Sequence, residues 1–241
     1  MKETEYGLEY SIKEFLSSRK DFFRFFYESD AIEGIDHGHT RIITEEELKR
    51  IESGERIGHD VALEYVLDNL ERTPTNEDIF SMQALLREDL YKEIIVGKFR
   101  RPKPMYVVSE EDDKIFYTGV PHSRHVPKLM RELEKDVRNL ENPSEQDIWD
   151  LHYRFENIHP LEDGNGRVGR LYLNWLSISH LGKVFLLTYN KRHEYYKRIE
   201  DYKEVFKVNN PKVKFYKDFQ KDAKLVRVRH LAELYDRIRK E

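Results

Sequence analysis

No cysteine occurs in the 241 residues, which removes disulfide frameworks, thiolate nucleophiles and cysteine-ligated zinc together and fits a reducing compartment. Glycine and proline are scarce, at 11 and 8 residues, which excludes collagen-like and low-complexity chains. No window approaches the roughly 18 apolar residues of a spanning helix, and the opening MKETEYGLEY lacks the apolar stretch of a secretory signal. A cytoplasmic protein without a membrane partner is therefore expected. No sign of charge dominates either: 42 Lys and Arg stand against 46 Asp and Glu, a net −4, so the whole surface is not a nucleic-acid footprint.

What is present is a charged, aromatic-rich chain of one domain's length, at about 150 residues per domain, with or without a helical appendage. Apolar spacing predicts a helix from Tyr10 to Tyr27, interrupted near Arg19, and a short helical turn, ESDAIEG, ending at Gly34. A loop, DHGHT, follows. Thr44 and Glu47 form a capping-box pattern, and helices are expected from Val61 to Leu70 and from Asn76 to about Ile95. Two β-prone runs, Met105 to Val108 and Lys114 to Thr118, flank the acidic turn SEEDD and predict a hairpin. Further helices are expected from Pro127 to Leu140, Ser144 to Asn157, Asp163 to His180, Arg192 to Val205 and Pro211 to Lys240. The fold class is thus all-α with one small hairpin.

The tract LHYRFENIHPLEDGNGRVGRLYLNWL carries the chemistry. Its GNG stands directly before an amphipathic helix, so backbone N–H groups of Gly164, Asn165 and Gly166 can cradle an anion at a helix N-terminus. Arg167 and Arg170 lie one turn inside that cradle, where guanidinium forks suit further phosphate oxygens. Asp163, at the same mouth, is one carboxylate of the kind that holds Mg²⁺ with phosphates and water, or a simple N-cap. His159 has the intrinsic pKa to take a proton from a hydroxyl near pH 7. These residues point to phosphoryl or nucleotidyl transfer. Glu162 reads as an exposed charge. The pairs His37 with His39 and His122 with His125 lack the partners of a metal site.

The run His159, Leu161, Asp163, Gly164, Asn165, Gly166, Arg167, Arg170 resembles the motif of the Fic family, with Leu161 standing where the family has Phe. Seven fixed residues at about one in twenty each give chance odds on the order of 10⁻⁹ per start position. The resemblance extends from about Tyr10 to Phe206. It implies an all-α Fic-type helical bundle over residues 1–210, with a flap at about 104–120 and a C-terminal helical extension at 211–241. It implies transfer of AMP from ATP, with Mg²⁺, to a Ser, Thr or Tyr hydroxyl of a target protein. His159 would be the base, Asp163 the metal ligand, Asn165 with its flanking glycines the anion hole, and Arg167 and Arg170 the outer-phosphate ligands. The flap would hold the target by strand addition, with Ile115, Phe116, Tyr117 and Thr118 closing over the nucleotide and Tyr195 and Tyr196 beside base and ribose. Lys203 stands near the place of the family's purine-contacting Asn.

Residues Ser29 to Gly34 resemble the family's inhibitory helix, at about 28–34: Ser, three arbitrary residues, Glu33, then Gly. The resemblance implies an ion pair from Glu33 to Arg170 that denies the γ-phosphate its place, with Ser29 setting the helix. It also raises removal of AMP, with Glu33 orienting a water, and a homodimer. Transfer of phosphate, UMP or phosphocholine remains an alternative. So does a nucleotide-sensing regulator whose tail contacts nucleic acid; residues 212–241 carry ten Lys or Arg against five Asp or Glu, a modest excess that a packing or dimer helix explains as well.

Overall fold

The computed structural model describes residues 1–33, 58–86, 96–111 and 114–222. Gly34, His37, His39, the Thr44 pattern, the last part of the helix expected to reach Ile95, and everything past residue 222 lie outside the described residues. The architecture is a helical bundle with two small antiparallel sheets.

The N-terminal segment differs from the helix expected from Tyr10. It forms β1 (Lys2–Thr4) and β2 (Gly7–Ser11), then α1 (Ile12–Ser17) and α2 (Arg19–Ile32). β2 pairs antiparallel with a later strand, β5 (Lys183–Leu187), in the sheet order β1-β2-β5. The expected break near Arg19 falls at Ser18, which ends α1 in an extended conformation and caps α2, its hydroxyl accepting from the Asp21 amide. Residues 28–32 of the short turn expected at ESDAIEG are the continuous last turn of α2, with Glu33 as its cap.

Helices α3 (Gly58–Leu67) and α4 (Asn76–Leu85) follow. The hairpin is present as β3 (Tyr106–Glu111) and β4 (Lys114–Gly119). Next come α5 (Val126–Arg138), α6 (Glu145–Ile158), α7 (Asn165–Leu181) and α8 (Arg192–Asn209). Ser144 opens α6 through a reciprocal capping box with Asp147, which satisfies two N-terminal donors at once.

At the centre lies α7, buried from Val168 through Ile178. A helix enclosed on all sides must satisfy its polar residues internally. Asn174 does so by donating to the Phe185 carbonyl at 3.0 Å and accepting the Phe185 amide at 2.8 Å, which fastens α7 to β5. Val168, Leu171 and Trp175 on this helix are fully buried, as are Phe155 and Leu161. Leu161, in the place of the family's Phe, is itself a core residue.

The helix expected from Pro211 is not formed in residues 211–222. Phe219–Asp222 is a strand, β6, paired antiparallel to the outer edge of β4 in the order β3-β4-β6. Hydrogen bonds supplied by the hairpin override the helical spacing of Val213, Phe215 and Phe219. Among the described residues no helix is long and apolar enough to cross a membrane.

Candidate active site

The turn between α6 and α7 builds the site. His159 caps α6 in the left-handed region, φ 50° and ψ 63°, a conformation unfavourable for a side-chain-bearing residue and held only where the surroundings impose it. Arg100 imposes it: its Nε donates to the His159 carbonyl at 2.7 Å, an Nη donates to the Pro121 carbonyl at the end of the hairpin, and its backbone amide donates to the Pro160 carbonyl at 2.9 Å. Nothing in the sequence singles out Arg100, since its partners are main-chain carbonyls far along the chain.

Asn165 closes the same loop by accepting the Leu161 amide at 2.8 Å and donating to the Leu161 carbonyl at 2.9 Å. The oxygen and one of the two amide hydrogens are thereby engaged, so the side chain shapes the loop. Gly164, φ 81°, starts α7. Asp163 Oδ1 accepts the Gly164 amide at 2.7 Å, and its carbonyl accepts from Gln83 at 3.0 Å. Glu162 is not the exposed charge expected of it: its side chain is buried against Arg101 and Lys103, with Arg101 Nε at 2.5 Å.

A cleft of about 550 Å³ opens over this turn, lined by Glu33, Tyr106, Glu156, His159, Gly166 and Arg170 among others. The end of α2 plugs one side. Arg170 donates to Ser29 Oγ and to the Ser29 carbonyl, each at 2.7 Å, and to Glu33 Oε1 at 2.8 Å. A Cβ on Gly166 would fall 2.1 Å from the same Glu33 oxygen, so the carboxylate rests on the space that the missing side chain leaves above the first turn of α7. Tyr196 donates to the Ile32 carbonyl at 2.9 Å and so ties α2 to α8.

The two arginines separate. Arg170 faces the cleft. Arg167 is buried, with an Nη 4.0 Å from Asp30 Oδ1, which His59 Nδ1 approaches at 3.2 Å; it does not line the cleft. Of the four flap residues expected over a nucleotide, Thr118 lines a narrow slot of about 60 Å³ between the hairpin and α8, with Val107, Tyr196, Ile199 and Lys203. Ile115, Phe116 and Tyr117 line neither the slot nor the cleft, and Tyr117 stacks on Phe219 at 4.5 Å. β3 supplies the missing contacts through Tyr106 and Val107. Tyr195 and Tyr196 both border the cleft, and the Tyr195 hydroxyl meets His152 Nε2 at 2.9 Å.

Electrostatics follow from burial. Desolvation, with Arg100 second, pushes the His159 imidazole down to about 3, leaving it neutral with a lone pair at pH 7; bound phosphates would raise it. Arg170 stays charged against its burial because Glu33 favours the cation. No sequence pattern marks Glu156, whose carboxyl burial pushes up to about 8, Arg170 opposing and Glu33 reinforcing the shift.

A carboxyl raised in the folded state binds a proton that the unfolded chain has lost above about pH 4.5. Stability therefore declines as pH rises through the window up to about 8. Glu156→Gln should remove that slope and stabilise the protein at pH 8 by about 1 to 3 kcal/mol, read as urea midpoints at pH 5.5 and 8. Parallel pH profiles for the two proteins would refute the assignment.

Among the described residues no three His, Asp or Glu side chains converge. Asp163 at the mouth of the cradle fits a Mg²⁺ whose other ligands come with a phosphate-bearing substrate.

Residues 73–177, which hold this loop, α6 and α7 as far as Ser177, match the Fic/DOC family. The chain carries a Fic/DOC family domain. Over 198 residues it is 26% identical to a protein adenylyltransferase Fic of Nematostella vectensis and 29% identical to the protein adenylyltransferase fic-1 of Caenorhabditis briggsae, covering 74% of this chain in both cases. It spans only 42% and 36% of those relatives. The Fic fold recurs in a Fic domain containing signaling protein from Bacteroides thetaiotaomicron, with TM-score 0.58, 22% identity, and coverage of 79% of this chain and 74% of that one. It recurs also in Fic-1 from C. elegans, with TM-score 0.57, 22% identity, and coverage of 78% and 58%.

Proposed function

We propose that this Fic domain transfers AMP from ATP to a hydroxyl side chain of a target protein and that α2 restrains it. The observation that carries the reading is Glu33 seated on Arg170 and Gly166 in the cleft that also contains His159. The names of the sequence relatives support the adenylyl group.

His159 takes the proton of the acceptor hydroxyl. The freed oxygen bonds to the α-phosphorus as the bond to the bridging oxygen breaks, and pyrophosphate leaves. The backbone amides at the start of α7 face the phosphates, and Arg170 receives the terminal one once Glu33 withdraws. Mg²⁺ beside Asp163 would neutralise phosphate charge. Arg100 and Asn165 keep the loop in place and touch no reacting atom. Glu33 presents a like charge at the position the γ-phosphate needs, so the resting protein is slow.

Glu33→Gly should raise incorporation of α-labelled AMP into protein, in the presence of Mg²⁺, by about tenfold or more, the equivalent of 1.4 kcal/mol or more of barrier. Equal incorporation by wild type and variant would refute the restraint. Intact mass separates AMP from a phosphate, UMP or phosphocholine adduct.

A further inference from the structure

The third strand on the flap has no counterpart in the hairpin read from the sequence. β4 has two edges, and both are filled: β3 takes one and β6 the other. Pairing continues past β6. The Tyr216 amide donates to the Val120 carbonyl at 3.0 Å, the His122 amide donates to the Lys214 carbonyl at 2.8 Å, and Phe215 bridges Pro121. Gly119 permits this approach, because a Cβ there would lie 1.9 Å from the Tyr216 carbonyl oxygen. Asp218 Oδ1 accepts the Gly119 amide at 2.6 Å and Lys203 Nζ at 3.0 Å, which clips the strand to the flap and to α8 together. Side chains add to it: Tyr216 stacks on His122 at 4.4 Å, Phe219 on Tyr117 at 4.5 Å, and Lys221 lies over the Tyr117 ring at 5.2 Å.

We propose that the β4 edge is the flap's docking edge for an extended target segment, and that residues 213–222 are its resident occupant, a basic and aromatic strand which a target of the same chemistry displaces. The proposal rests on the reading of the domain as a protein-modifying enzyme. Strand addition supplies affinity through main-chain bonds and specificity through alternate side chains. The occupant shows which side chains the edge accepts: aromatics against Tyr117 and His122, and a lysine over the Tyr117 ring. Residues 212–222 carry four lysines against two aspartates, which makes the strand basic. The strand is also placed for release. Phe219 is 39% exposed and the Asp218 side chain 57% exposed, so the 218–222 end can leave the edge while Val213 and Phe215, packed against the core, anchor the base of the strand. Being tethered, it competes at an effective concentration on the order of millimolar, a second restraint independent of Glu33.

The test uses the full chain. Ile115→Cys with Lys221→Cys places two thiols at directly opposed positions on the strand face that carries Tyr117 and Phe219, in a protein with no other cysteine. Asp218→Ala with Phe219→Ala loosens the strand at exposed positions. A fluorescent peptide of residues 213–222 should bind the loosened protein about tenfold or more tighter than wild type. It should fail to bind the oxidised stapled protein and recover binding on reduction. In the Glu33→Gly background, oxidation should cut labelling of lysate proteins with AMP about tenfold without altering affinity for an ATP analogue. Equal peptide binding to stapled and loosened proteins would place docking at the β3 edge and overturn the proposal, as would absence of peptide binding to all of them. Unchanged lysate labelling after stapling would overturn the claim that targets use this edge. Because peptide binding needs no nucleotide, it decides the edge even if no protein transfers AMP.

Discussion

Replacing His159 by alanine in the Glu33→Gly protein should lower AMP incorporation by about 10²- to 10⁴-fold, the range for removal of a general base, while binding of an ATP analogue stays within about threefold. The imidazole meets the cleft at the end of α6, and its backbone is held by Arg100 whatever its side chain. Its loss therefore removes the proton acceptor and leaves the anion cradle intact. Since desolvation keeps the free imidazole neutral, protonation of His159 in the nucleotide-free protein does not limit activity in the neutral range. A variant that keeps transfer within a few-fold would reassign the base.

Arg170→Ala should do two things that Glu33→Gly does not. It should leave transfer at or below the wild-type level, because the terminal phosphate loses its ligand although Glu33 no longer has an ion-pair partner. It should also destabilise the fold by about 3 kcal/mol or more, since the guanidinium is 1% exposed and carries Ser29 Oγ, the Ser29 carbonyl and Glu33. Removing it strands a main-chain acceptor at the junction of α2 and α7. Transfer assays and urea midpoints on the pair of variants should therefore move in opposite directions for activity and diverge for stability. Activation by Arg170→Ala comparable to that of Glu33→Gly would show that the arginine serves only to hold α2.

The parts of this site that can be read in the sequence are local in origin. A glycine-bracketed asparagine before an apolar repeat fixes where α7 begins, and Ser144 with Asp147 fixes where α6 begins, because each pattern is complete within four residues. The α2 contact spans 137 positions from Glu33 to Arg170, and only the resemblance of Ser29 to Gly34 to a known helix brings the two together. Arg167 and Arg170 share a spacing of three, yet three steps of 100° leave about 60° between them, enough to aim one at the cleft and the other at Asp30. The β1-β2-β5 sheet is hidden because Tyr10 also fits a helical spacing with Phe15, and KVFLL is a short apolar run between two helices. β6 has no periodic signal of its own; FQKD is a strand because β4 presents it an open edge. Glu162 reads as exposed because its partners, Arg101 and Lys103, lie about 60 residues upstream.

Under the proposed restraint, the Glu33 carboxylate stands in for the terminal phosphate on Arg170. Calorimetric titration of a non-hydrolysable ATP analogue and of ADP, each with Mg²⁺, into wild type and Glu33→Gly tests it directly. Wild type should bind the two nucleotides alike, whereas Glu33→Gly should bind the triphosphate about tenfold or more tighter than the diphosphate, equivalent to roughly 1.4 kcal/mol from the freed Arg170 meeting the γ-phosphate. The same ratio of the two affinities in both proteins would contradict it.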